Sequence, residues 1–256
     1  MHRILLYIIT TLLAIAAFAC GETHYDSRLT AIDSIIDVSP DSALAELRAL
    51  DYKSLSGSDN RAYYALLLTQ ARYKCYDSIP STDTIEIAVA RFTSNGDREK
   101  LTRSLIFKGA TLEELGKPVE AMEQYKLAEE TAAPTDYFNL GYANLRMANL
   151  YHKSYVECGI DIEKYKKAAQ FFKLSNDSVY LLKSLFRLGQ IYRTTDLDSS
   201  YLYIKRTNKL ASELNDSFVL YNNLFVLAGL YQEDSLYEKQ IDILRLLLTK
   251  DSEKIT

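Results

Sequence analysis

Adjacent carboxylates are the residues of this chain that could serve acid–base chemistry. They occur as Glu113-Glu114 and Glu129-Glu130. A glycan hydrolase, for example, would need two carboxylates that face each other in a pocket, and nothing in the sequence supplies a cleft that would shift their pKa values. His24 and His152 each stand apart from other metal ligands or nucleophiles. The sequence therefore predicts a protein that is not an enzyme and has no metal or cofactor.

Basic residues near position 190 could instead bind an anionic group. Lys183 and Arg187 are four residues apart, so a helix would present both cations on one face. Arg193 follows near the end of the same helix. A basic stripe of these three residues is predicted to contribute to partner binding. Two other interpretations remain open: Arg193 offsets the helix dipole, and the other two cations pair with neighbouring acids.

Composition limits the fold and the partner classes. The 256 residues include 30 Lys and Arg against 34 Asp and Glu, a net charge of −4, and 48% are apolar. This is the composition of a folded chain, not of a disordered one. Only 9 Gly and 4 Pro are present, too few for the turns of a many-stranded sandwich or barrel. The acidic balance gives no sign of a nucleic-acid partner.

The first twenty residues have the anatomy of a secretion signal. A short positive start precedes an uncharged stretch at 4–19, which as a helix would span roughly 24 Å and so fall short of a bilayer core. The segment Ala17-Phe18-Ala19-Cys20 resembles a bacterial lipoprotein box, although that family prefers Leu at the place of Ala17 and a smaller residue than Phe18. The resemblance implies that Cys20 becomes the new N-terminus and carries lipid, including palmitate. An ordinary secretion signal and an uncleaved anchor helix are the alternatives.

This signal sets the expected domain organisation and location. Residues 1–19 are the signal peptide, 20–25 a lipidated tether, and 26–256 the folded domain. The expected location is the cell envelope, by lipid anchoring in the outer membrane. Gly21 follows the cysteine, where an Asp would by resemblance indicate retention at the inner membrane.

The rest of the chain repeats a helical pattern. Leu181, Leu185, Leu188 and Tyr192 are spaced 4, 3 and 4, which places all four on one helical face. The last positions of five such sets are separated by 39, 39, 41 and 39 residues; they are Tyr73, Leu112, Tyr151, Tyr192 and Tyr231. A second helix follows each of these, with small and aromatic residues such as Ala88 and Phe92, or Gln240 and Leu244 in the last unit. Repeated helix pairs are therefore predicted.

These units resemble tetratricopeptide repeats (TPR). The residues at family spacing are Leu105, Gly109, Ala121, Tyr125, Ala128, Leu185, Leu188, Gly189, Tyr192, Leu227, Ala228 and Tyr231. The resemblance implies an all-α fold, an α-solenoid of antiparallel helix pairs wound as a right-handed superhelix. The period exceeds the family's 34 residues, and a HEAT-like array with its longer repeat is the structural alternative.

The resemblance also implies a concave groove lined by the first helix of each unit. Carried over position by position, its candidate partner-binding residues are Arg103, Tyr142, Asn149, His152, Lys183, Phe186, Arg187, Gln190, Arg193, Asn222 and Phe225. Asn149, Lys183 and Arg187 fit three of the five places of the family's carboxylate clamp. Ile106 and Ala110 occupy the other two, where Lys and Asn would be needed.

Two functions are consistent with these features. The first is a non-catalytic, lipid-anchored TPR scaffold that binds a protein or peptide partner, of unknown identity, through its groove. The alternative is the extracytoplasmic sensor region of a longer membrane-bound regulator, with residues 4–19 as signal or anchor. Further coding sequence after Thr256 would separate the two.

Overall fold

The computed structural model describes residues 25–154 and 159–255, and within them the chain is an all-α array. The predicted signal peptide, Cys20 and His24 lie outside the described residues. Twelve α-helices and one 3₁₀ turn, and no strand, occur in these two ranges. The helices are α1 (Ser27–Ile35), α2 (Pro40–Ala49), α3 (Gly57–Lys74), α4 (Asp83–Asn95), α5 (Arg98–Glu114), α6 (Pro118–Thr131), α7 (Tyr137–Lys153), α8 (Ile160–Leu174), α9 (Ser178–Tyr192), α10 (Leu197–Glu213), α11 (Ser217–Glu233) and α12 (Tyr237–Ile255).

The helices form an α-solenoid, as the sequence predicts. Each helix packs against the next one along the chain, and short turns reverse the direction between them. The odd-numbered helices also contact each other from unit to unit: α1 with α3, α3 with α5, α5 with α7, and α9 with α11. Because one pair cannot bury its apolar face alone, this stacking creates a continuous core.

Aspartates determine where most of the long helices begin. Asp177, for example, accepts a hydrogen bond from the backbone N–H of Tyr180, and Asp216 does the same for Val219. Such caps satisfy backbone donors that have no partner within the helix. Gly116, with a φ of 73°, ends α5 in the left-handed region, and Pro118 opens α6 two residues later. The punctuation read from the sequence is therefore confirmed at this turn.

Aromatic side chains of the second helices pack against small residues of the first helices. Phe92, Tyr125 and Phe172 are completely buried. The ring of Tyr125 covers Gly109 and that of Phe172 covers Gly141. The predicted register of the second helices is confirmed in these three units. In the last unit it is wrong, since Leu244 is 42% exposed; among the described residues no further helix packs on α12.

Burial ends gradually towards the C-terminal pair. One core runs from Leu29 to Leu188, and a smaller one joins α9, α10 and α11. Large apolar side chains such as Phe218 are exposed on the last pair. No helix in the described part of the chain is both long enough and apolar enough to cross a membrane.

Candidate functional site

The first helices of four units surround one open cavity of about 620 Å³, which we call the inner cavity. It is lined from α3, α5, α7 and α9 and from the turn before α2. Its lining is Pro40, Tyr73, Lys74, Tyr76, Glu113, Glu114, Tyr142, Leu145, Arg146, Asn149, Lys153, Tyr180 and Lys183. Lys74 and Lys183 are more than a hundred positions apart in the sequence, so the array curves around this space. A smaller cavity of about 180 Å³ adjoins it and shares Lys74, Tyr142 and Tyr180.

Tyrosine rings form one wall of the inner cavity. The rings of Tyr142 and Tyr180 meet edge to face with centroids 5.2 Å apart, a favourable arrangement for aromatic side chains. Burial raises the pKa of Tyr180 to about 12, and it raises the pKa of Tyr142 further. Both phenols therefore stay neutral at physiological pH and can offer a ring face together with a hydroxyl group.

A buried ion pair lies at the base of the cavity. The guanidinium of Arg146 on α7 donates to Glu113 at the end of α5, and the two side chains are 15% and 8% exposed. Arg146 also donates to the hydroxyl groups of Tyr125, at 3.1 Å, and Tyr73. Lys153 Nζ lies 3.6 Å from the second oxygen of Glu113. This network ties three consecutive units together, and it occupies the carboxylate of Glu113.

The two remaining lysines of the cavity differ in their partners. Lys74 Nζ lies 3.0 Å from Asp37 Oδ1, and Gln70 donates to the same oxygen. Lys183 Nζ lies 4.5 Å from the centre of the Tyr180 ring, and no carboxylate of the described residues is within 4.0 Å of it. Burial lowers the pKa of Lys183, and the charge of Lys74 lowers it further. Lys183 is thus a cation without a counter-charge inside the cavity.

Arg103 forms a second polar cluster beside the adjoining cavity. Its guanidinium holds both oxygens of Asp33 on α1, at 2.9 Å for one of them, and its Nε donates to Gln70 on α3. Tyr63 donates to the same carboxylate. Burial alone would raise the pKa of Asp33, but the hydrogen bonds and charge of Arg103 outweigh it and leave that pKa lowered. The cluster attaches the first unit to α3 and α5.

The structure brings together only some of the predicted groove residues. Tyr142, Asn149 and Lys183 line the inner cavity, and Arg103 lines the adjoining one. Asn149 accepts a hydrogen bond from Tyr165 on α8, which fixes its position.

The other candidates lie elsewhere. His152 and Gln190 line a separate cavity, where His152 Nδ1 lies 3.3 Å from Asp161 Oδ2. Phe186 is 9% exposed and belongs to the core around Leu182, so its placement in a groove is wrong: the facing helices cover it.

The remaining four candidates lie on α9 and α11. Arg187 is exposed and donates to Gln190 at 3.0 Å. Arg193 extends over Gly229 of α11, so the predicted basic stripe does not form one surface with Lys183. The side chain of Asn222 donates to its own helix, and the exposed Phe225 packs on Tyr221.

Several cavity residues were not among the sequence candidates. They are Lys74, Glu113, Arg146 and Tyr180, together with Tyr73, which the repeat pattern assigned to packing. The spacing of 33 residues between Glu113 and Arg146, close to one repeat, was the available signal. Among the described residues no three His, Cys, Asp or Glu side chains lie close enough to hold a metal ion. The arrangement is suited to binding, since its phenols, its cations and one amide converge on open space.

Comparison with known proteins supports the fold. No family model and no curated protein sequence matches the chain. Among solved structures, the chain is similar to BtubC (BKLC) from P. vanneervenii, with a TM-score of 0.67 and 16% sequence identity. The match covers 88% of this chain and 92% of that one. At this identity the likeness shows the fold alone, a helical array of similar extent.

Proposed function

We propose that this chain is a non-catalytic scaffold, lipid-anchored in the bacterial cell envelope, that binds a protein or peptide through the inner face of a TPR-like array. The inner cavity carries the proposal. Four consecutive first helices contribute side chains to it, and tyrosines and an unpaired lysine converge there. Tyrosine provides contact area at low entropic cost, which suits a surface for protein partners.

Packing inside each unit supports the TPR-like part of the proposal. Gly109 and Gly141 lie under the rings of Tyr125 and Phe172, as expected where small residues let two helices approach closely. The envelope location rests on the N-terminal signal and on Cys20.

Site-directed photo-cross-linking tests the partner-binding surface. A benzophenone amino acid would replace Tyr76, which lines the cavity and is 95% exposed. The matched control would replace Leu127, an exposed residue of the second helix α6. In cells, we expect a discrete cross-linked species from position 76 and none from position 127. Equal products from both positions, or none from position 76, would argue against partner binding in the cavity.

A further inference from the structure

The charges that line the inner cavity nearly cancel, with one exception. Arg146 and Lys153 both face Glu113, Lys74 is held by Asp37, and Glu114 lies in the same wall. Burial raises the pKa of Glu114, and the charge of Arg146 opposes this. With every group charged, the cavity carries an excess of one positive charge. Lys183 is the cation that no carboxylate of the described chain compensates.

A single excess charge determines which ligands fit. Phosphorylated ligands and nucleic acids bring several negative charges and would meet Glu113 and Glu114 in the same wall. One carboxylate matches the excess, and a lysine ammonium can bind it by a charge-assisted hydrogen bond. The rings of Tyr142 and Tyr180 beside Lys183 provide apolar contact for a neighbouring group of the same ligand.

The chain already shows how this region holds a carboxylate. Asp37, in the turn between α1 and α2, reaches towards α3 and places one oxygen 3.0 Å from both Lys74 Nζ and Gln70 Nε2. Its side chain remains 53% exposed. Asp37 lines the adjoining cavity together with Tyr142 and Tyr180, so its carboxylate lies next to the space that Lys183 faces.

We propose that the inner cavity binds a peptide through one carboxylate, held by Lys183 and Lys74 against the Tyr142–Tyr180 wall, and that Asp37 is an internal competitor for Lys74. This inference rests on the proposed function and names the chemistry of its partner. The carboxylate comes from an acidic side chain or from a chain terminus, and the peptide residue beside it is apolar. Displacement of Asp37 from Lys74 accompanies binding.

Three pools of heptapeptides test the proposal on the purified mature chain. The first pool has Glu at its fixed centre and an amidated C-terminus, and the second has Gln there with the same terminus. The third has central Gln and a free terminal carboxylate. All are N-acetylated, and their retention on the immobilised protein is measured at low and high salt. We expect the Glu pool or the free-terminus pool to be retained about tenfold over the amidated Gln pool at low salt. The difference should shrink at high salt because of screening.

Three variants locate the effect. Lys183→Gln should remove the preference, whereas Lys209→Gln, an equal charge change on exposed α10, should leave it intact. Asp37→Asn should raise retention of the carboxylate pools several-fold, because Lys74 loses its resident partner. Circular dichroism and melting temperature verify that each variant folds.

The outcomes separate this inference from the proposed function. Equal retention of all three pools, or a preference that survives Lys183→Gln, overturns the carboxylate site. Unchanged retention in Asp37→Asn overturns the role of Asp37 as a competitor. If the carboxylate site fails while cross-linking at position 76 still yields a partner, the scaffold function stands with a different ligand chemistry.

Discussion

A Cβ atom on Gly109 would lie 2.5 Å from Cε1 of Tyr125. The ring is completely buried between α5 and α6, and its hydroxyl group donates to Glu113. It therefore has little freedom to move away. The close approach of the two helices in this unit depends on the absence of a side chain at position 109.

Substitution of this glycine should destabilise the array. We expect Gly109→Ala to lower the free energy of unfolding by about 1–3 kcal/mol, because the added methyl group overpacks the core. Gly229→Ala is the matched control: its Cβ would meet the end of the flexible Arg193 side chain, which can move away. That variant should be neutral, or more stable by up to about 1 kcal/mol, through helix propensity. Urea unfolding measures both, and equal effects would refute a special role for the Tyr125 contact.

The buried pair of Arg146 and Glu113 provides a second test. Arg146→Leu leaves the Glu113 carboxylate, which is 8% exposed, with Lys153 as its nearest cation. Removing one partner of a buried pair costs about 3–5 kcal/mol. The double variant Arg146→Leu with Glu113→Leu should cost less than Arg146→Leu alone, since no uncompensated charge remains. A double variant less stable than either single variant would show that the pair itself contributes net stability.

Local patterns of the sequence predicted the fold well. Helical periodicity and capping residues act within a few positions, so the 4, 3, 4 spacing and the aspartate caps identify helices directly. The candidate site was only partly predictable. Lys183 and Tyr142 followed from their place in the repeat, but Lys74 and Tyr180 meet only through the curvature of four stacked units. Phe186 occupies a predicted groove position, yet the width of its buried face depends on neighbouring helices, which periodicity does not specify.

Acid should loosen the attachment of the first unit. The pKa of Asp33 is lowered from its usual value of 3.8, so its ion pair with Arg103 contributes stability that is complete above about pH 4. That contribution is lost as pH falls through the lowered pKa. Urea midpoints of the wild type and Asp33→Asn should therefore differ at pH 6 and converge towards pH 3. A difference that stays constant with pH would show that Asp33 acts through packing and not through its charge.

The N-terminal cysteine can be tested independently of the cavity. If Cys20 carries lipid, mass spectrometry of the membrane fraction should find an acylated peptide that begins at this residue. Cys20→Ala should then lack the acyl groups and leave the membrane fraction. A membrane-bound chain that still begins at Met1 would instead establish the uncleaved anchor, and an unmodified chain cut near Ala19 would establish ordinary secretion.

Charge reversal at Lys183 and Arg187 separates the cavity from the wider basic stripe. Both residues lie on exposed positions of α9, but only Lys183 lines the inner cavity, and Arg187 bonds to Gln190 outside its lining. Lys183→Glu should reduce the cross-linked species formed at position 76, most strongly at low salt where screening is weakest. Arg187→Glu makes the same change of charge one helical turn away and should leave the yield near that of the wild type. Melting temperatures should change little in either variant, since surface ion pairs contribute about 0–1 kcal/mol. Equal losses in both folded variants would favour a field spread along the helix over a site inside the cavity. Loss in Arg187→Glu alone would move the binding surface to the face that carries Gln190 and His152.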